Sequence, residues 1–308
     1  MAWLVPASGK ERERGLITVS QPILDRATRT YGAFFQRISG IDPVKCARDV
    51  LDEEKVHDQV ELFCRTISQD KECMRGKKLL EVGSGFGIFV AVTRRDYGAE
   101  TYGIEPASEG FDTSYAICRD VLANYNLDPD IVRDAKGEAL PFETASFDFV
   151  YSSSVLEHVD DPEEVIREAV RVLKPGGYLQ FVIPNYAAVF DGHYGLLWIP
   201  YMGRRLGKVW VRLWGRDPRF VDTLQYTNYF KVRRWVKNIP GVDVITFGQE
   251  IFRERMRSMQ FKEWACLGKV KRWLDIANRF RLVPFFTWLF LTVRSFDPIV
   301  LTLHKRLP

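Results

Sequence analysis

Five cysteines, Cys46, Cys64, Cys73, Cys118 and Cys266, are scattered through the 308 residues with no CxxC pair among them. An odd number at unpaired spacing supplies neither a disulfide framework nor a cysteine-based zinc site. The expectation is a reduced, cytoplasmic protein without a metal. Internal repeats and low-complexity stretches are also missing, which argues against a solenoid. The apolar run Leu282 to Val293, bounded by Arg281 and Arg294, is twelve residues long, short of the ~20 needed to span a bilayer as a helix. Met1 to Arg14 turns charged after a few apolar residues, unlike a signal peptide. With 46% hydrophobic and 27% charged residues, the chain reads as one elaborated domain with a substantial core.

Against these absences, Leu79-Leu80-Glu81-Val82-Gly83-Ser84-Gly85-Phe86-Gly87 stands out. The apolar run reads as a buried strand, and alternate glycines permit φ > 0 and leave the backbone bare for a ligand. Helix formers from Ile88 to Arg95 follow, so the free N–H groups of a helix start face that ligand. The dinucleotide fingerprint G-x-G-x-x-G/A needs a small residue where this chain has Ile88, so a dinucleotide fits poorly. A second strand, Glu100 to Glu105, ends in a carboxylate 18 residues beyond Gly87. An acidic side chain there can accept both hydroxyls of a ribose.

The form acidic-x-Gly-x-Gly-x-Gly at 81–87 resembles motif I of class I S-adenosylmethionine-dependent methyltransferases. Gly137-Glu138-Ala139-Leu140-Pro141-Phe142, followed by the strand Ser146 to Tyr151, is similar to a stretch of the small-molecule members. Val155-Leu156-Glu157-His158-Val159 with Asp161-Pro162, a helix over Glu163 to Leu173 and Lys174-Pro175-Gly176-Gly177 resembles the ubiquinone and menaquinone methyltransferase-like group, type 11. Asp161 before Pro162 also reads as an N-cap with proline at the first helical position.

The resemblance covers about residues 75–185. It implies an α/β fold: a Rossmann-like, doubly wound seven-stranded methyltransferase sheet with S-adenosyl-L-methionine as cofactor. The residues it places around the cofactor are Glu81, Gly83, Ser84, Gly85, Phe86, Gly87, Glu105, Pro106, Asp134, Gly137, Glu138, Ser153 and Ser154. Where relatives carry an aspartate toward adenine this chain has Lys136, which leaves Asp134 and a backbone group near Gly137 as alternatives.

The expected organisation is N-terminal and cap helices over 1–75, the cofactor-binding core over 76–185, a substrate lid over 186–230 inserted after strand five, and completion of the sheet over 231–308. Val242 to Phe247 is the expected sixth strand and Asp297 to Arg306 the seventh, with a basic helical insertion between them at about 250–295. The cofactor carries its own activated methyl group, so the protein has to align an acceptor and, where needed, remove its proton. His158, past the fourth strand, has a pKa range suited to a general base; substrate contact and structural hydrogen bonding are its other readings. His193 and Tyr194 form a second catalytic candidate pair. Tyr186, Phe190, Tyr194, Trp198, Tyr201, Trp210 and Trp214 either pack the lid or line an apolar acceptor site, with packing favoured for most.

Charge is uneven. Residues 1–200 hold 22 Lys/Arg and 32 Asp/Glu, net −10, whereas 201–308 hold 22 and 8, net +14. Phe261, Trp264, Leu267, Val270, Trp273, Leu274, Ala277 and Phe280 recur at helical spacing with Lys262, Lys269, Lys271, Arg272 and Arg279 between them, a basic amphipathic pattern. Residues 255–295 therefore suit an anionic membrane surface; packing on the sheet or a partner subunit is the alternative. The expectation is a cytoplasmic, peripheral enzyme methylating a small molecule that is lipid-linked, isoprenoid or glycan-like. Nucleic acid is disfavoured as a partner, because Ser153-Ser154-Val155-Leu156 stands where many base-modifying enzymes carry an Asn-Pro-Pro-Tyr type of motif. An RNA methyltransferase and a non-catalytic cofactor-binding or membrane-docking protein are the rival readings.

Overall fold

A computed structural model describes residues 17–107, 112–259 and 276–308. The main sheet takes β1 (Lys78–Val82), β2 (Glu100–Ile104), β3 (Val132–Arg133), β4 (Phe147–Ser153), β5 (Leu173–Ile183), β8 (Val242–Thr246) and β9 (Ile299–Lys305). Their order is β3-β2-β1-β4-β5-β9-β8. The first five run parallel, and β9 pairs antiparallel with both β5 and β8. The Rossmann-like methyltransferase sheet expected from sequence is present, with its last strand inserted beside the fifth.

Strands buried on both faces read as near-continuous apolar runs, and neighbouring residues divide between two cores. Leu80, Val150, Leu179 and Leu301 pack with Val165, Ile166 and Ala169 of helix α7 (Pro162–Val172) and with Val232 and Trp235 of α9 (Tyr229–Lys237). On the opposite face Leu79, Phe149 and Tyr151 meet Phe63 of α4 (Glu53–Thr66) and Phe89 of α5 (Ile88–Tyr97). The Asp161 carboxylate accepts from the N–H groups of Glu163 and Glu164 and so caps α7, as the Asp-Pro pair predicts.

Strand β5 starts earlier than its sequence suggests. Leu173 already pairs with Phe147, and the register shifts before Tyr178 pairs with Phe149. The intervening Lys174–Gly177 segment, with Gly176 at φ 79°, is thus a bulge within an extended strand rather than a loop ahead of one.

After β5, residues 186–230 build a short hairpin, β6 (Phe190–Asp191) with β7 (Leu196–Leu197), followed by α8 (Arg204–Leu213). Tyr194, Trp198, Val211 and Val221 form their own small core, which also takes in Ile38 from the N-terminal helices. Most of the insertion's aromatics are therefore packing groups, although Trp214 and Tyr201 are exposed. Between β8 and β9 lie α10 (Gln249–Ser258) and α11 (Val283–Thr292). Most of the basic amphipathic pattern, residues 261–275, lies outside the described residues. Among the described residues no helix is long and apolar enough to cross a membrane.

Candidate functional site

Strand order reverses between β1 and β4, and in open α/β sheets a ligand crevice forms outside the carboxyl ends of the strands at such a point. There the glycine loop touches the segment after β4. Gly83 sits at φ 76°, and a Cβ on it would come within 2.3 Å of Val155 Cγ2. The Gly83 and Ser84 N–H groups donate to the Ile104 carbonyl, and the Gly85 N–H donates to Glu105 Oε2 at 2.9 Å. The loop is therefore pinned to the tip of β2. Gly103 in β2 makes room for it, since a Cβ there would fall 2.1 Å from Ser84 Oγ.

These residues line one end of a cleft of about 3070 Å³, wide enough for two ligands by the usual pocket scale of ~300–1,000 Å³. Glu81, Gly83, Ser84, Gly85, Phe86, Glu105, Pro106, Gly137, Glu138, Ser153, Ser154, His158 and His193 all face it. Gly87, Asp134 and Tyr194 do not. Gly87 instead backs onto α6 (Asp112–Asn124), where a Cβ would meet Cys118 Sγ at 2.7 Å. The Asp134 carboxylate accepts from the Ala107 N–H at 2.8 Å and fastens the loop after β2. Of the two alternatives for the adenine end, the region of Gly137 is the one that reaches the cleft. Glu138 lines it but spends Oε1 on the Asp160 and Asp161 N–H groups.

Tyr194 is set aside as a catalytic candidate: it is fully buried, and its hydroxyl donates to the Asp217 carbonyl within the lid. His158 and His193 do come together, with ring centroids 5.4 Å apart and Phe220 packed against both. Burial, with the neighbouring imidazole adding, pushes His158 down to about 3, and burial alone pushes His193 to about 4. The sequence-based expectation of a base poised near neutrality is thus corrected. Both imidazoles are neutral at working pH, but desolvation has moved them away from the range that favours general-base catalysis.

The cofactor end holds the opposite anomaly. Glu81 is buried with Oε2 lacking any hydrogen-bond partner, and Ser84 Oγ beside it is equally unpartnered. Burial, with a contribution from the Glu105 charge, pushes Glu81 up to about 8; burial also raises Glu105 to about 7. Orphaned buried carboxylates are costly, and a ligand ammonium would relieve that cost. Around Gly85, at φ 52°, a Cβ would meet no atom within 4 Å, so the backbone there is open to the cleft. A buried acid with one oxygen unpartnered, a bare glycine edge and a second acid at the β2 tip suit an amino acid joined to a ribose, the two halves of S-adenosylmethionine.

Residues 80–181 match a family model described as a methyltransferase domain. The core of this chain is a class I S-adenosylmethionine-dependent methyltransferase domain. Across this methyltransferase core the chain is 32% identical over 142 residues to a ubiquinone biosynthesis O-methyltransferase of Pectobacterium carotovorum, covering 44% of this chain and 56% of that one. An uncharacterized methyltransferase of a Mycobacterium species is 35% identical over 145 residues, 47% of this chain and 53% of that one. An uncharacterized Mycobacterium tuberculosis protein is 32% identical over 121 residues, 39% of this chain and 40% of that one. The chain thus spans about half the length of the curated relatives it matches. Among solved structures, Haemonchus contortus phosphoethanolamine N-methyltransferase 2 in complex with S-adenosyl-L-methionine is 15% identical, covering 82% of this chain and 53% of that one, with a TM-score of 0.49.

Three contributors escape sequence reasoning. Gly103 looks like an ordinary strand glycine, and its partner Ser84 is distant in sequence. Phe220 lies in an insertion with no recognisable pattern. Glu157 could have been noticed beside His158, but nothing in the sequence says that its carboxylate is buried without a hydrogen-bond partner.

Proposed function

We propose that this protein transfers the methyl group of S-adenosylmethionine to a small molecule held between the methyltransferase core and the lid. The observation that carries the reading is Glu81, whose buried Oε2 lacks a hydrogen-bond partner, beside the open Gly85 edge and the Glu105 tip, all on one cleft large enough for an acceptor as well. Glu81 and Ser84 would hold the methionine half, Glu105 the ribose, and the backbone around Gly137 the base. When bound, the cofactor supplies an electrophilic methyl group. The chain's own residues position the acceptor and exclude water: Phe220, Phe34 and Phe35 form an aromatic wall, with Phe34 and Phe220 centroids 5.6 Å apart.

The acceptor we propose is apolar or lipid-linked and is met at a membrane surface. Leu206 and Leu213 on α8 are 66% and 76% exposed, Trp288 on α11 is 60% exposed, and Arg205, Arg212 and Arg281 are exposed as well. Exposed apolar side chains together with exposed basic ones favour an anionic interface. The Tyr201 hydroxyl donates to the Val293 carbonyl, which ties the lid to the end of α11.

Labelled S-adenosylmethionine incubated with extracts of the source cells, then fractionated into lipid, water-soluble, nucleic-acid and protein pools, tests the reading. Label in the lipid pool is the expected outcome. Label in nucleic acid would assign the basic half to RNA. Cofactor binding with no label in any pool would favour a non-catalytic protein.

A further inference from the structure

Next to His158, which lines the cleft, Glu157 is fully buried and neither of its carboxylate oxygens has a hydrogen-bond partner. Two imidazoles flank it: His158 Nε2 and His193 Nε2 each stand 3.8 Å from Glu157 Oε1, beyond hydrogen-bond range. One donor atom from each of the three residues lies within 4.8 Å of the others. His158 and His193 line the cleft, so the cluster opens on it.

We infer that Glu157, His158 and His193 form a binding site for a divalent transition-metal cation in the wall of the cleft. A buried acceptor with two oxygens and no donor is the strongest sign, because such a group needs either a proton or a cation. The donor set decides which cation. Two imidazoles and one carboxylate suit Zn²⁺, Mn²⁺ or Fe²⁺, whereas Mg²⁺ and Ca²⁺ favour oxygen ligands throughout. A carboxylate and two histidines also leave coordination positions for water or a substrate atom, the pattern of open rather than structural sites.

The surroundings fit a ligand role. The Tyr186 hydroxyl lies 3.2 Å from His193 Nδ1; with the proton on Nδ1 and donated to the Tyr186 oxygen, Nε2 keeps its lone pair toward Glu157, as metal-bound histidines commonly arrange through an acceptor on the other nitrogen. The ring of Tyr186 stacks on Tyr226, centroids 4.8 Å apart, which holds that hydroxyl in place. Donors up to 4.8 Å apart must draw in to the ~3.0–3.5 Å between ligands of an ion bound at about 2.0–2.1 Å. His158, whose side chain retains 22% exposure, has room to make that movement.

The site joins two parts of the chain that are distant in function. Glu157 and His158 follow β4 in the methyltransferase core, and His193 comes from the lid. A bound cation would therefore fasten lid to core. On the methyl-transfer reading proposed above, on which this last step rests, it would also bind an oxygen of the acceptor and lower its pKa.

The test uses the full-length protein, stripped with a chelator. Titration with Co²⁺ followed by visible absorption, and competition with Zn²⁺, should show one equivalent bound. His193→Gln and Glu157→Gln should weaken Co²⁺ binding at least tenfold while S-adenosylmethionine affinity stays within about twofold, the latter also reporting that each variant is folded. Glu105→Gln should do the reverse. If Glu157→Gln does not fold, His158→Gln reads the same affinity from the cleft side. Absence of stoichiometric Co²⁺ or Zn²⁺ binding by protein that still binds the cofactor would overturn the site, as would binding indifferent to the histidine substitutions. Loss of cofactor binding in wild type with metal binding intact would overturn the methyl-transfer reading instead.

Discussion

The Gly85 N–H donates to Glu105 Oε2 at 2.9 Å, so the glycine loop and the tip of β2 are one unit at the end of the cleft proposed for the cofactor. The bond is charge-assisted whenever Glu105 is ionised. Replacing Glu105 by Gln keeps the shape while weakening both this bond and any ribose contact. S-adenosylmethionine affinity measured by calorimetry should fall at least tenfold, about 1.4 kcal/mol, with the far-ultraviolet dichroism unchanged. Wild-type affinity in the variant would remove Glu105 from the site.

Two loop glycines should separate folding from binding. At Gly83 an added Cβ would lie 2.3 Å from Val155 Cγ2 at φ 76°; Gly83→Ala should destabilise by more than about 3 kcal/mol and give little soluble protein. Gly85 has open space around it, so Gly85→Ala should cost only about 1–2 kcal/mol for its positive φ. That methyl group still enters the cleft, and cofactor affinity should drop sharply in a protein that melts almost normally. Equal melting temperatures for the two variants would contradict this geometry.

Stability should fall as pH rises. Glu81 and Glu105 have folded-state pKa values of about 8 and about 7, above the ordinary 4.5. Below about pH 6.5 the buried imidazoles of His158 and His193, which bind protons only in the unfolded chain, offset this effect; between about pH 6.5 and 8 the folded state holds more protons than the unfolded one, and ionising the two acids in place costs stability. The ligand-free protein should lose on the order of 2 kcal/mol across that window. Glu81→Gln should flatten the slope, which a melting series in matched ionic strength would reveal. A wild-type curve rising over the same range would contradict the burial assigned to these acids.

Strand β9 holds the far half of the sheet. Ile299, Val300, Leu301 and Leu303 are fully buried, and Lys305 Nζ donates to the Val170 and Leu173 carbonyls at 2.7 and 2.6 Å. Ending the chain at residue 295 should expose both β5 and β8 edges and send the protein to the insoluble fraction. Soluble, cofactor-binding protein from that truncation would falsify the strand order.

The exposed faces of α8 and α11 can be tested without the acceptor. Liposomes containing anionic lipid should co-sediment the protein at low salt, less so at high salt because the electrostatic part is screened. Leu213→Ser together with Trp288→Ser should reduce binding severalfold while leaving cofactor affinity intact. No sedimentation under either condition would end the interfacial proposal.

Much of the core is legible along the chain because its signals are local. Gly83, Gly85 and Gly87 announce a backbone turn, Asp161-Pro162 announces a helix start, and apolar runs such as Leu79–Val82 announce strands buried on both faces. Glu105 is found by spacing, since one βα step has a nearly fixed length. Even the late position of β9 can be inferred from an apolar run that needs a partner. The bulge at Lys174–Gly177 is harder to read, because a Pro-Gly-Gly sequence suits both a loop and an irregular strand.

Sequence by itself determined the methyltransferase core, the glycine turn that opens on the cleft and the uneven charge of the two halves, all set by neighbouring residues through backbone conformation and periodicity. Tertiary structure decided the rest. Only folding removes water from Glu81 and Glu157, brings His193 from the lid to His158, buries Tyr194 away from the cleft and turns Asp134 toward a backbone amide. Desolvation and long-range juxtaposition depend on what the whole chain packs around a residue, and no local pattern records that.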